Sequence, residues 1–438
     1  MKIPKTSLCL ENNNINCIPK SDKIQYVGAR ALFDPNFIPP IIIERKKKGE
    51  ILHGIITDAI EDHYSTNINL YGLEGIGKNL LVNNFLQDIS LNQGDTSKKG
   101  KSSSKKLNQN VFILRVDCSD KEIEQVFFTI LSQLSSIIKL QLDFNEILKL
   151  SQVKLWTSLK LILDRLKHPV ILFLQKSENV SPFYLTKLYK YAKNSNKIQI
   201  ITTINTGLQK YSFKQYQGMD HRIQMGLYDL KNLRQITADR SIMAFEKALE
   251  QDSINLIVDY ISEYDMMVPG ACMNLLKEFY PVIHQSGNLT PEILRRTTQY
   301  YFDSYNLDAI TFADFVMSSS IEDRLFLEYL VDFFRSKNNF YIPFKNIKQA
   351  YSMTCEELGY DILEQEFFSS LRKITNSQVF CPSKIFQRVG IKENNGVYCV
   401  PHFLTLPVNE VNELLNVSFG MEDNLNNFNN ITRGKETF

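Results

Sequence analysis

Asn67-Ile-Asn-Leu-Tyr-Gly72-Leu-Glu-Gly75-Ile76-Gly77-Lys78-Asn79-Leu80 is the stretch on which the fold of this 438-residue chain turns. A β-prone run ends at Tyr71, and glycines follow at 72, 75 and 77. Without Cβ atoms there, successive backbone N–H groups can turn inward around an anion, and Lys78 can reach the anion's outer oxygens. Residues 80–86 (Leu-Leu-Val-Asn-Asn-Phe-Leu) read as a helix whose positive N-terminal end faces the same anion. Strand, Gly-x4-Gly-Lys and helix in that order predict a phosphate-binding loop. Its nucleotide-binding residues are Gly72, Gly75, Ile76, Gly77, Lys78, Asn79 and Leu80. The competing reading is a plain strand-to-helix turn.

One position departs from the pattern. The residue after the lysine ordinarily offers a Ser or Thr hydroxyl to magnesium, and here it is Asn79. An amide oxygen can bind magnesium but reaches further and does not reproduce the hydroxyl geometry. The sequence therefore favours nucleotide binding over hydrolysis. ATP or ADP is the expected ligand, with Mg2+ left in doubt.

Downstream of the loop, residues 92–110 are polar and lysine-rich and predict a disordered insertion. A strand at 111–116 and helices at 120–140 and 151–166 follow, the last containing the only tryptophan, Trp156, expected in the core. The runs 170–174 (Val-Ile-Leu-Phe-Leu) and 198–203 (Ile-Gln-Ile-Ile-Thr-Thr) suit strands buried on both faces of a parallel sheet. Strands alternating with helices after a phosphate loop predict a doubly wound α/β core over 31–227, preceded by an N-terminal extension, 1–30. Strand signals then vanish, and helical periodicity over 228–303 predicts a small all-α lid. Its last helix starts at Thr290-Pro291, a cap residue followed by proline at the first helical position. Over 304–416, helices at 322–334, 344–358 and 362–374 precede two strand-like runs, 378–381 and 396–400, which suggests a winged helix whose hairpin turns at Asn394-Asn395-Gly396. The Asn-rich residues 417–438 predict a disordered tail.

Composition limits the rest. An apolar share of 43% suffices for ordinary globular cores, and a formal charge of +2 neither requires nor excludes nucleic acid. The seven cysteines form no Cys-x2-Cys pair and are odd in number, which suits free thiols in a reducing compartment. The six histidines show no paired spacing for zinc, and no Gly-x-Ser-x-Gly elbow is present. No apolar run could span a bilayer and the N-terminus lacks a signal core, so an intracellular protein with no membrane partner is expected.

Over about residues 30–415 the chain resembles the origin-recognition and helicase-loading initiators of the AAA+ class, especially the archaeal form with P-loop core, lid and winged helix. Residues 31–45 (Ala-Leu-Phe-Asp-Pro-Asn-Phe-Ile-Pro-Pro-Ile-Ile-Ile-Glu-Arg) are similar to the family's segment before the first helix, which implies that Arg45 lies near the nucleotide base. Thr66 to Gly72 resembles the P-loop strand, and residues 228–245 resemble the start of the lid. The resemblance implies a sensor-one role for Asn205 and an arginine finger at Arg222, offered to a neighbouring subunit's nucleotide.

The departures from that family are equally specific. Its Walker B strand ends in Asp-Glu, whereas Gln175 and Lys176 occupy those places here. The stretch comparable to sensor two, residues 268–276, contains no arginine. With Asn79, four functional positions depart together, and each such group is typically worth orders of magnitude in rate. Little or no hydrolysis is expected.

The resemblance further implies double-stranded DNA as a partner, with Arg372 and Lys373 on a helix approaching the major groove and Lys384, Arg388 and Lys392 on the wing. Glu364 and Glu366 at the start of that helix oppose close approach to phosphates. The expected function is that of a DNA-binding replication-initiator-like protein, partnered by another AAA+ initiator subunit or a replicative helicase, in the cytoplasm or nucleoid of an archaeon or the nucleus of a eukaryote. A noncatalytic protein-interaction subunit and a signalling or transposition-associated ATPase are the alternatives.

Overall fold

The computed structural model describes residues 24–94, 110–140, 143–147, 149–206, 218–287, 289–302, 309–387 and 399–433. These form two compact units. One comprises residues 34–232 and 266–272; the other comprises 24–33, 233–265 and 273–433.

The first unit is built on a five-stranded, all-parallel sheet. Its strands are β1 (Asn67–Gly72), β2 (Phe112–Asp117), β3 (Val170–Gln175), β4 (Ile198–Asn205) and β5 (His221–Gln224), in the order β2-β3-β4-β1-β5. β3 and β4 are buried along almost their whole lengths, which is why they read in the sequence as continuous apolar runs. The helices Lys46–Glu61, Lys78–Gly94, Ile123–Ile138, Gln152–Arg165 and Pro182–Ser195 supply the layers that bury them. Leu114, Val116, Phe127, Leu159, Leu172 and Leu188 share one core with Trp156, whose ring lies 5.5 Å from that of Phe127. The α/β core expected from the sequence is thus present, and its tryptophan is core.

β5 carries no apolar run because it is a short edge strand. Only Ile223 faces inward, and His221, Arg222 and Gln224 are exposed along an edge where polar side chains disfavour further pairing.

The second unit contains the helices Gln251–Tyr264, Pro291–Tyr301, Ala309–Ser318, Ile321–Lys337, Phe344–Leu358, Glu364–Asn376 and Lys384–Gln387, and an antiparallel pair, β6 (Phe380–Pro382) with β7 (His402–Leu404). Ile342 adds a single bridge to His402. Thr290 caps its helix as expected, accepting from the Ile293 N–H with Pro291 at the first position. Arg295 is fully buried: it donates to the Leu404 and Asn339 carbonyls and lies 5.0 Å from the Phe334 ring, fixing helix Pro291–Tyr301 on β7. Asp259, also buried, accepts from the Ser383 and Tyr341 hydroxyls and from the Lys384 and Ile385 N–H groups, capping helix Lys384–Gln387. Burial lifts its carboxyl to about 6 against these four donors.

Helix Val408–Arg433 runs into the Asn-rich residues 417–438. A helix already nucleated at the packed Val408, Val411 and Leu415 gains a backbone hydrogen bond with each added residue, so weak propensity beyond 417 does not end it. Most of the expected insertion at 92–110 and the Asn394-Asn395-Gly396 turn lie outside the described residues, as does most of the N-terminal extension. No described helix is long and apolar enough to cross a membrane, and no disulfide joins the five described cysteines.

Candidate nucleotide site

β1 is a central strand paired to β4 and β5, so the loop leaving it at Gly72 is held from both sides. Gly72, Gly75 and Gly77 all have positive φ, at 154°, 72° and 94°. Space is as tight as conformation. A Cβ on Gly72 would stand 2.7 Å from the Met225 carbonyl oxygen, and one on Gly75 would stand 3.0 Å from the Gly270 Cα. The Gly270 N–H donates to the Gly75 carbonyl at 3.0 Å, so the Val268-Pro269-Gly270 stretch packs backbone to backbone on the loop. That stretch is the one compared with sensor two. It contains no arginine.

Lys78 is buried, and its ammonium donates to the carbonyls of Gly72 at 2.9 Å and Leu73 at 2.6 Å. Burial lowers it to about 8, against the pull of the Glu178 and Glu74 carboxylates and with the repulsion of Lys176. Ile76 is buried beneath the loop, while Asn79 and Leu80 are half-buried in the first helical turn.

Asn79 is tied to β4. Its Oδ1 accepts from the Thr203 hydroxyl of β4 at 2.8 Å, while the Lys176 N–H donates to that same hydroxyl at 3.2 Å. The buried Ser177 hydroxyl donates to the Thr203 carbonyl at 3.1 Å. Lys176 therefore has a fixed backbone, in the left-handed region at φ 50°, and its ammonium lies 3.4 Å from Glu74 in the loop. Gln175 ends β3 opposite Asp117 of β2. Glu178, two residues beyond Lys176, is the half-buried carboxylate of the site. Burial raises it, while the N–H groups of Glu178 itself and Asn205 and the charges of Lys78 and Lys176 hold it down. Asn205 ends β4 opposite Gly72.

Arg45 is buried beside this loop. Its guanidinium donates to the Gly226 carbonyl at 2.7 Å and stacks 3.9 Å from the Tyr228 ring. The Tyr228 hydroxyl in turn lies 3.9 Å from where a Cβ on Gly77 would be. Arg222 is exposed on β5, in register with Asn69. The structure thus brings Lys78, Asn79, Gln175, Lys176 and Asn205 to one end of the sheet. Thr203, Glu178 and Glu74 belong to the same place and were not singled out by sequence, and Tyr228, read from the sequence as part of the start of the lid, joins them. Thr203 and Glu178 lie in segments that read simply as strand and turn, and only the strand order shows their proximity.

The expected DNA contacts stand differently. Arg372 is exposed on helix Glu364–Asn376. Lys373 pairs with Asp323 at 2.9 Å, and Lys384 pairs with Glu263 at 2.7 Å while donating to the Ser262 carbonyl. Arg388 and Lys392 lie outside the described residues. Just before the helix, Tyr360, Ile362 and Leu363 are 57%, 57% and 52% exposed among Asp361, Glu364 and Glu366. No group of three or more potential metal-ligating side chains occurs among the described residues.

No family model matches the chain, and no curated protein matches it by sequence. Solved structures do match by fold. Cdc6p from Pyrobaculum aerophilum is 15% identical, with a TM-score of 0.67 over 90% of this chain and 98% of its own. The ORC1 protein of Aeropyrum pernix, solved in complex with DNA, is 14% identical, with a TM-score of 0.50 over 89% of this chain and 96% of its own. The chain shares the AAA+ fold of Cdc6p and ORC1.

Proposed function

We propose that this chain, carrying the fold just described, is a DNA-binding replication-initiator-like AAA+ protein that holds a nucleotide with little or no hydrolysis. The observation that carries the reading is the extent of the likeness, which takes in 98% of the initiator's chain and not its P-loop core alone. The phosphate loop, with its three positive-φ glycines and buried lysine, supports the nucleotide. Gln175 and Lys176 in the Walker B places, with Asn79 bonded to Thr203, argue against hydrolysis. We further assign the helices Ile321–Lys337, Phe344–Leu358 and Glu364–Asn376, with β6 and β7, to a winged helix that meets duplex DNA. Arg372 is its leading cationic contact, since Lys373 and Lys384 are each tied to a carboxylate.

Fluorescence anisotropy of a labelled duplex with the full chain, repeated across a salt series, tests this. Binding should weaken as salt rises, and Arg372→Glu should weaken it further and reduce the salt slope by about 1. Absence of binding at low salt would overturn the reading. In that case the second reading applies, a noncatalytic assembly subunit. It is favoured by the exposed Tyr360, Ile362 and Leu363 in their acidic surround, a composition suited to a protein surface rather than to phosphates.

A further inference from the structure

Magnesium at a phosphate loop is ordinarily held through a hydroxyl after the loop lysine and a carboxylate at the end of a strand of the same sheet. Here the Asn79 oxygen already accepts from Thr203, Gln175 is neutral and Lys176 is a cation. Glu178, which burial raises, lies near both Lys78 and Lys176, and Glu74 already pairs with Lys176, so a divalent ion drawn to either carboxylate would meet an ammonium group. The residues present do not fit magnesium.

We infer that the site binds a nucleoside polyphosphate without a metal ion, and that the Lys176 ammonium supplies the positive charge a divalent cation would otherwise bring. The inference rests on the nucleotide reading above and specifies its chemistry. Three observations carry it. The Lys176 backbone is fixed by the Thr203 hydroxyl and by the Ser177–Thr203 bond, so the side chain starts from a set position. Its ammonium already reaches the phosphate loop, 3.4 Å from Glu74. That pair is exposed, at 39% and 73%, and exposed ion pairs are weak, so a polyphosphate can displace Glu74 and take over the lysine. Lys78 and Lys176 would then hold the phosphates from two elements, each ammonium offering three donors. Thr203, which in this arrangement anchors both Asn79 and Lys176, acts as a positioning residue.

The test is titration calorimetry of the full chain with ATP, once in EDTA and once in excess magnesium chloride. Equal affinity in the two solutions is expected. Lys176→Gln should weaken binding in EDTA by about tenfold, with no recovery on adding magnesium, while Lys176→Arg should retain it. Lys176 is partly exposed, so these variants keep the fold. Binding that requires magnesium would overturn the inference and leave the nucleotide reading intact. Binding in EDTA that is unchanged in Lys176→Gln would remove Lys176 from the site. No binding in either solution would overturn the nucleotide reading and the inference together.

Discussion

Thr203 donates to Asn79 across 2.8 Å, tying the first turn of the phosphate-loop helix to the strand next to β1. The bond joins residues 124 apart in sequence and engages one lone pair of the Asn79 amide oxygen. What looks in the sequence like a single substitution in the loop is therefore part of a network that also fixes the Lys176 backbone.

Restoring the hydroxyl alone should not restore turnover. In Asn79→Thr, Gln175 and Lys176 still stand where Walker B carboxylates would. Phosphate release by wild type, Asn79→Thr and Lys78→Ala is expected at one common background rate. Sustained turnover that disappears with Lys78→Ala would show a working ATPase. Asn79→Thr should also lose about 1 kcal/mol of stability with its hydrogen bond.

Nucleotide binding of the kind proposed should be proton-linked through Lys78. Burial sets its ammonium near 8 in the free protein, and an adjacent polyphosphate raises it, so binding near pH 8 should take up about 0.5 proton. Calorimetry in two buffers of different ionisation enthalpy measures this uptake, which should fade towards pH 6, where the lysine is already charged, and vanish in Lys78→Arg. For stability the sign is the reverse of the usual lysine. Its folded pKa lies below the unfolded value of 10.5, so the unfolded chain binds more protons between about 8 and 10.5, and stability gained from this group rises with pH across that window.

Arg45 supports the first unit as well as the proposed base site. Arg45→Ala removes the part-buried hydrogen bond to Gly226 and the buried stack on Tyr228, and should cost about 2 kcal/mol in urea denaturation. Arg45→Lys should recover only part of this, because an ammonium cannot stack as a planar guanidinium does.

Asp259 gives the second unit a pH signature. Its folded pKa, about 6, is raised above the unfolded carboxylate value of 3.8. Between those values the folded chain retains a proton that the unfolded chain has released, so this residue's contribution falls as pH rises, by at most about 1.4 kcal/mol per unit. The stability difference between wild type and Asp259→Asn, followed by circular dichroism in urea, should decline across that window. A flat difference would mean that the carboxyl is not held protonated.

The sequence alone determined the features that depend on neighbours in the chain. Gly72, Gly75, Gly77 and Lys78 announced the phosphate loop because backbone freedom and a cation at fixed spacing are local properties. Periodicity likewise placed helix Phe344–Leu358 and the buried strands β3 and β4, and the Thr290-Pro291 cap marked where a helix begins. Tertiary structure decided what those elements bring together. The β2-β3-β4-β1-β5 order sets Thr203 against Asn79, and the Gly75–Gly270 contact lays the start of helix Pro269–Ser286 on the loop. Ion pairs with Asp323 and Glu263 engage Lys373 and Lys384, two cations that read in sequence as free for DNA. Such pairings join residues far apart in the chain, and their energies depend on distance and burial, which the order of amino acids expresses only once the sheet has formed.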